Sequence, residues 1–74
     1  MRRAIIPAGA MFDVAFNCTR APKDMPVDLE PREYATPGCI IGYIDGDPGH
    51  ELYAMRSPRV RIHIAARLLQ EVEP

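Results

Sequence analysis

Three side chains that could do chemistry, two guanidinium groups and an imidazole, alternate with apolar residues in the stretch RVRIHI. They belong to Arg59, Arg61 and His63. An alternation of period two is typical of a strand with one buried and one exposed face. Because arginine presents a rigid fork of donors, this face could bind a phosphate or a carboxylate. The alternative is a solvated strand face on which Arg61 pairs with a neighbouring Asp or Glu.

Two tyrosines, Tyr43 and Tyr53, lie on either side of the turn-rich sequence DGDPGH. They could offer a stacking surface for bases or for a proline-rich peptide. The alternative is a cross-strand aromatic pair that covers part of the core. The predicted binding residues are therefore these two tyrosines and the three polar residues of RVRIHI.

No catalytic residue and no metal site are predicted. His63 suits general base catalysis, but the sequence offers no nucleophile and orienting carboxylate at a helpful spacing. Zinc-ligand types occur at Cys18, Cys39, His50 and His63, yet their spacing fits no compact zinc knuckle. Residues 45–51 lack the ligand order of a calcium loop. Without a Cys-x-x-Cys pair, both cysteines are expected to be reduced.

Length and charge limit the classes of protein that fit. A chain of 74 residues makes one domain, residues 1–74, with a small core, so association with a partner subunit is expected. The formal net charge of -1 gives no long-range attraction to nucleic acid or an anionic membrane. Since no apolar run approaches about 20 residues, no membrane span is predicted and the protein is expected to be cytoplasmic.

Five short strands are predicted from apolar periodicity and from turn residues between them. They lie near residues 11–17, 39–45, 50–56, 59–64 and 68–72. Between Thr19 and Gly38, four prolines and little periodicity predict a long proline-rich loop after the first strand. The residues predicted to form the core are Phe12, Val14, Phe16, Ile62, Ile64 and Leu68.

The end of the chain allows two interpretations. One turn of 3₁₀ helix at Ala65 to Arg67 can be followed by a final strand. A helix from Ala65 to Glu71 is equally compatible with helix propensity. The first interpretation gives the layout of a five-stranded SH3-like barrel, in which the last strand pairs with the first. We therefore predict a small all-β protein of that architecture.

The C-terminal half carries a resemblance to a known family. The stretches GCIIGYIDGDPGHELYAMRS and VRIHIAARLLQEV resemble the type II, plasmid-borne dihydrofolate reductases, whose strands read Gly-x-Ile-Val-Gly-Trp, Tyr-Ala-Val and Val-Gln-Ile-Tyr before an Ala-Leu-Glu ending. The resemblance covers about half of the chain, from Tyr34 to Val72. It implies an SH3-like barrel that assembles into a tetramer around a central pore holding substrate and reduced nicotinamide cofactor.

The resemblance does not preserve the catalytic motif. Val60, Arg61, Ile62 and His63 stand where the family has Val-Gln-Ile-Tyr. The family's pore lysine has no counterpart in the acidic, proline-rich stretch PVDLEPREYATPG. In such a tetramer, Arg61 would bring four cations together around the symmetry axis, which requires an anion between them.

The sequence therefore predicts a small non-enzymatic binding or assembly module that contacts a protein partner or a second copy of itself. The alternatives are an oligomeric enzyme similar to the type II reductases, which would use NADPH, and a nucleic-acid-binding barrel. No cofactor is expected unless the reductase alternative holds.

Overall fold

The computed structural model describes residues 2–33 and 37–71, and in these ranges the protein is all-β, as predicted. Its strands are β1 (Arg2–Ile6), β2 (Met11–Val14), β3 (Asn17–Arg20), β4 (Met25–Glu33), β5 (Cys39–Asp45), β6 (Arg59–Ala65) and β7 (Gln70–Glu71). Two 3₁₀ helices, Tyr53–Arg56 and Ala66–Leu68, complete the described elements. None of the helices in these ranges has the length and apolar character needed to cross a bilayer.

The described strands form one antiparallel sheet in the order β3-β2-β6-β5-β4-β1-β7. Its central ladder joins β5 to β6 over their whole length, from the pair Cys39 and Ala65 to the pair Asp45 and Arg59. The alternation in RVRIHI has the predicted effect, because Val60, Ile62 and Ile64 are buried. The last strand, β7, pairs with the first, β1.

One face of the sheet carries a single apolar core. It is built from side chains of β1, β2, β4, β5 and β6, together with Ala21 after β3 and Met55 of the first 3₁₀ helix. The prediction is confirmed for four core residues, which are Phe12, Val14, Ile62 and Ile64. Leu68 is only partly buried and packs at the margin of this core. The prediction is wrong for Phe16, which is fully exposed.

The predicted first strand, residues 11–17, is a hairpin. β2 ends at Val14, the chain reverses through Ala15 and Phe16, and β3 returns antiparallel to β2. Both turn residues have positive φ angles, 49° for Ala15 and 68° for Phe16. Two positive φ angles are what a two-residue hairpin turn of type I′ requires. The apolar alternation continues through this turn, which is why the sequence pattern suggested one long strand.

The prediction of a long proline-rich loop between Thr19 and Gly38 is also wrong, because these residues include part of β3 and all of β4. Pro26 precedes the first pair of β4 with β5, Asp28 with Tyr43, so its missing N–H does not interrupt that ladder. Pro31 lies where the register shifts between Leu29 and Glu33, and a bulge tolerates proline.

The strand predicted at residues 50–56 does not form, and this segment instead contains the first 3₁₀ helix, Tyr53–Arg56, within a long connection between β5 and β6. The Met55 N–H donates to the Leu52 carbonyl oxygen at 2.9 Å, and the Met55 side chain is buried in the core. The backbone also passes close to Gly46, whose amide donates to the Pro58 carbonyl oxygen at 3.3 Å. The connection between β5 and β6 is therefore held by the buried side chain of Met55 and by these backbone hydrogen bonds, and not by strand pairing.

The choice at the end of the chain is resolved in favour of a 3₁₀ turn. It covers Ala66–Leu68, one residue later than predicted, and is followed by β7. The alternative helix from Ala65 to Glu71 does not form. The predicted strand at 68–72 is shorter in the described residues, where it consists of Gln70–Glu71.

Candidate functional site

The candidate site is the face of β4, β5 and β6 that points away from the core, which we call the outer face. Cross-strand register places Asp28, Tyr43 and Arg61 in one row across these strands. Neighbouring rows pair Asp45 with Arg59 and Ile41 with His63. The outer face comprises Asp28, Glu30, Ile41, Tyr43, Asp45, Arg59, Arg61 and His63. Four of the five predicted binding residues therefore lie together.

Asp28 is the centre of an ion-pair network on this face. Its Oδ2 accepts a hydrogen bond from Arg59 Nη2 at 2.9 Å, and its Oδ1 accepts one from Arg3 Nε of β1 at 3.2 Å. The hydrogen bond from Arg59 is the main reason that the pKa of the Asp28 carboxyl is lowered, and the charge of Arg3 adds to it. One carboxylate thus connects β1, β4 and β6.

Tyr43 is held between an arginine and a glutamate. Its hydroxyl donates to Glu30 Oε1 at 2.5 Å, and the Arg59 guanidinium carbon lies 5.5 Å from the centroid of its ring. The hydrogen bond to Glu30 is the main cause of a raised pKa for the Tyr43 phenol, because it stabilises the protonated form. Arg59 therefore covers the surface of the Tyr43 ring on which stacking of a base or a peptide was considered.

Arg61 has a different environment from Arg59. It is exposed, and its in-register neighbour is Tyr43, whose pKa its charge lowers against the stronger effect of Glu30. The ion pairs on this face join Asp28 to Arg59 and to Arg3, so Arg59 makes a pairing of the kind that was considered for Arg61. The guanidinium of Arg61 lines a cleft of about 500 Å³ at one end of the outer face.

This cleft lies between the outer face and the tip of the β2–β3 hairpin. Its lining residues are Asp13, Ala15, Phe16, Arg61 and His63. His63 is half-buried and pairs in register with Asp13, the single register pair that joins β2 to β6. We call this cleft the hairpin cleft.

A smaller cleft of about 230 Å³ continues from the hairpin cleft and shares Asp13 and His63 with it. The thiols of Cys18 and Cys39 line it, and both cysteines are unpaired. Met11, which is 38% exposed, borders the same cleft. In the described ranges, no group of three or more His, Cys, Asp or Glu side chains is arranged to hold a metal ion.

Tyr53, the fifth predicted binding residue, is not brought to the outer face. It lies in the first 3₁₀ helix, 81% exposed, with the Arg56 guanidinium carbon 5.7 Å from its ring centroid. The cross-strand neighbours of Tyr43 are Asp28 and Arg61, so the two tyrosines do not form the cross-strand pair that was considered.

Sequence reasoning missed Phe16, which it placed in the core. The side chain is as exposed as in an extended chain, at 103% relative exposure, and it occupies the tip of the β2–β3 hairpin. A bulky residue with positive φ is an uncommon conformation that neighbouring structure must hold in place. The Asn17 Nδ2 amide contributes by donating to the Ala15 carbonyl oxygen at 3.1 Å.

Comparison with protein-family models, with curated proteins and with solved structures gave no match to this chain. The resemblance to the type II dihydrofolate reductases therefore stays a prediction carried by the quoted stretches.

Proposed function

We propose that this protein is a small non-enzymatic binding or assembly module that contacts a protein partner through the outer face and the hairpin cleft. The observation that carries this proposal is the fully exposed Phe16, held in an unfavourable backbone conformation beside Arg61 and His63. An exposed aromatic side chain that borders a charged cleft is typical of protein-binding surfaces, where aromatic residues and arginine supply most of the binding energy.

We further propose that the scaffold is an SH3-like barrel. Five consecutive neighbours in the sheet, β7-β1-β4-β5-β6, are antiparallel, a 3₁₀ turn precedes the last strand in the chain, and that strand pairs with the first. These features support the SH3-like arrangement. The β2–β3 hairpin is then an insertion between the first two strands of the barrel, and it carries Phe16.

The reductase alternative is less well supported by the outer face. Arg61 stands at the position of the glutamine in the family's Val-Gln-Ile-Tyr motif, and a fourfold cluster of guanidinium groups would be repulsive. A nucleic-acid-binding role fits less well still. Asp28, Glu30 and Asp45 lie among the basic residues of the outer face, and the net charge is -1.

Affinity capture with matched baits tests the proposed function. The immobilised wild type, Arg61→Ala and Tyr53→Ala are each exposed to an extract of the cells that encode the protein. We expect the wild type and Tyr53→Ala to retain the same protein, and Arg61→Ala to lose it. Separately, consumption of reduced nicotinamide cofactor in the presence of dihydrofolate would support the reductase alternative and contradict a non-enzymatic role.

A further inference from the structure

We propose that the partner of the hairpin cleft is a second copy of this chain, and that each copy of the dimer inserts Phe16 into the hairpin cleft of the other. This inference rests on the proposed function, because it assigns an occupant to the same contact surface. It adds the identity of the partner, the anchoring residue and the symmetry of the complex.

The first argument comes from the backbone of the hairpin tip. Turns with two positive φ angles favour Asn and Gly, yet this one holds Ala15 and Phe16. A bulky side chain there costs folding stability and remains exposed to water. Binding can compensate both costs, since burial of the ring in an apolar-aromatic contact is favourable.

The second argument is that the protruding side chain and the cleft adjoin one another. Phe16 lines the hairpin cleft of its own copy, together with Asp13, Ala15, Arg61 and His63. A twofold axis beside the hairpin tip would therefore exchange the two rings between the two clefts, as in an isologous interface. The cleft volume of about 500 Å³ is in the range of sites that accept an aromatic ring. Within it, the ring of Phe16 would meet the guanidinium of Arg61, a favourable cation–π arrangement.

The third argument is charge. The hairpin cleft contains an acidic residue, Asp13, and a basic one, Arg61, so a twofold arrangement can set Asp13 of each copy against Arg61 of the other. Two such contacts would form. The net charge of -1 also leaves little overall repulsion between copies.

The surface needed for this dimer is available. A specific interface buries at least about 600 Å² per partner, roughly an eighth of the 5044 Å² accessible surface of the described protein. The hairpin cleft continues into the smaller cleft, where Met11 adds exposed apolar surface. Three large apolar side chains are exposed in the described ranges. Phe16 borders the hairpin cleft and Met11 borders the smaller cleft, whereas Tyr53 borders neither.

Sedimentation velocity over a dilution series tests the anchor. We expect the wild type to show a concentration-dependent mass between monomer and dimer. Phe16→Gly should lower the association constant about 30-fold or more, as for a central aromatic anchor. Because glycine adopts positive φ without strain, the same variant should unfold at a temperature at least as high as the wild type, measured where both are monomeric. Tyr53→Ala, which removes the other exposed aromatic ring, should associate like the wild type.

Charge exchange tests the symmetry. Asp13→Arg and Arg61→Asp should each associate more weakly than the wild type, since each places like charges together twice. An equimolar mixture of the two variants should form a heterodimer, because both contacts then regain opposite charges. Failure of the mixture to associate, or undiminished association of Phe16→Gly, would overturn the proposed dimer.

The two proposals fail differently. A wild-type chain that stays monomeric at every concentration overturns the second copy as the partner, but affinity capture can still retain a different protein through Arg61. Loss of both self-association and Arg61-dependent capture would overturn the proposed function as well.

Discussion

Arg59 reaches diagonally across β5 to bind Asp28 on β4, and it covers the ring of Tyr43 on the way. The distance from Arg59 Nη2 to Asp28 Oδ2 is 2.9 Å, and the guanidinium carbon lies 5.5 Å from the ring centroid of Tyr43. Two residues further along β6, Arg61 lines the hairpin cleft instead. Two arginines of the same strand thus have separate roles, since Arg59 holds the outer face together and Arg61 lines the hairpin cleft.

Paired alanine substitutions should separate these roles. Arg61→Ala should change the free energy of unfolding by at most about 0.5 kcal/mol, as for an ordinary surface substitution. Arg59→Ala should destabilise the fold more than Arg61→Ala does, because it removes the hydrogen bond to Asp28 and the contact with Tyr43. Urea denaturation of monomeric protein measures both. A larger loss for Arg61→Ala would instead make Arg61 a structural residue.

The Asp28 network should make stability depend on acid pH. The folded-state pKa of Asp28 lies below 3.8, the usual value for this side chain, so its contribution is present above that pH and is lost as the pH falls through the lowered pKa. The wild type should therefore lose stability relative to Asp28→Asn as the pH falls below 3.8. Thermal unfolding of both proteins between pH 2 and 6 measures the difference. Parallel pH profiles would contradict the prediction.

Tyr43 should titrate above the usual pH of 10 for a tyrosine. Since its pKa is raised in the folded state, the hydrogen bond to Glu30 contributes stability below pH 10, and this is lost as the pH rises through the raised pKa. Glu30→Gln should bring the pKa of Tyr43 back toward 10, because the carboxylate acceptor and its charge are removed. Tyrosine ring-carbon chemical shifts followed by NMR report this titration. An unchanged Tyr43 titration in Glu30→Gln would rule out Glu30 as the cause.

Gly46 should be intolerant of any side chain. An added Cβ would lie 1.6 Å from the Ser57 carbonyl oxygen, so the connection carrying Met55 would have to move. Gly46→Ala should therefore destabilise the fold by about 3 kcal/mol or more. Gly49→Ala is the matched control, because its Cβ would meet only an ordinary contact at 3.6 Å from Asp47 Oδ1. Equal urea midpoints for the two variants would show that the connection adapts freely.

The parts of the fold that sequence reasoning predicted are those with a strong local pattern. β5 and β6 have β-branched and aromatic residues, and the alternation in RVRIHI assigns Val60 and Ile62 to the core and Arg61 to the surface. β4 was missed because prolines argue against a strand. Pro26 is tolerated because it precedes the ladder with β5, and Pro31 because it lies at the bulge before Glu33. β1 was missed because it is short and begins with two basic residues.

The candidate site was predictable only in part, for a physical reason. Alternation identifies which side chains of one strand share a face, but not which strands lie next to each other. The pairing of Asp28 with Arg59 and of Glu30 with Tyr43 depends on strand order, which local patterns do not contain. Phe16 was assigned to the core because a turn without glycine or asparagine carries no local signal.

The measurement that tests the proposed function most directly compares the affinity of the captured partner for the wild type with its affinity for Arg61→Ala. The partner, whether a second copy or a different protein, is titrated against both chains under conditions where both are fully folded. Loss of a charged contact should weaken the complex by roughly 1.5 to 3 kcal/mol, about 10-fold to 150-fold in Kd. Equal affinities of the wild type and Arg61→Ala would contradict a contact surface at the outer face and the hairpin cleft.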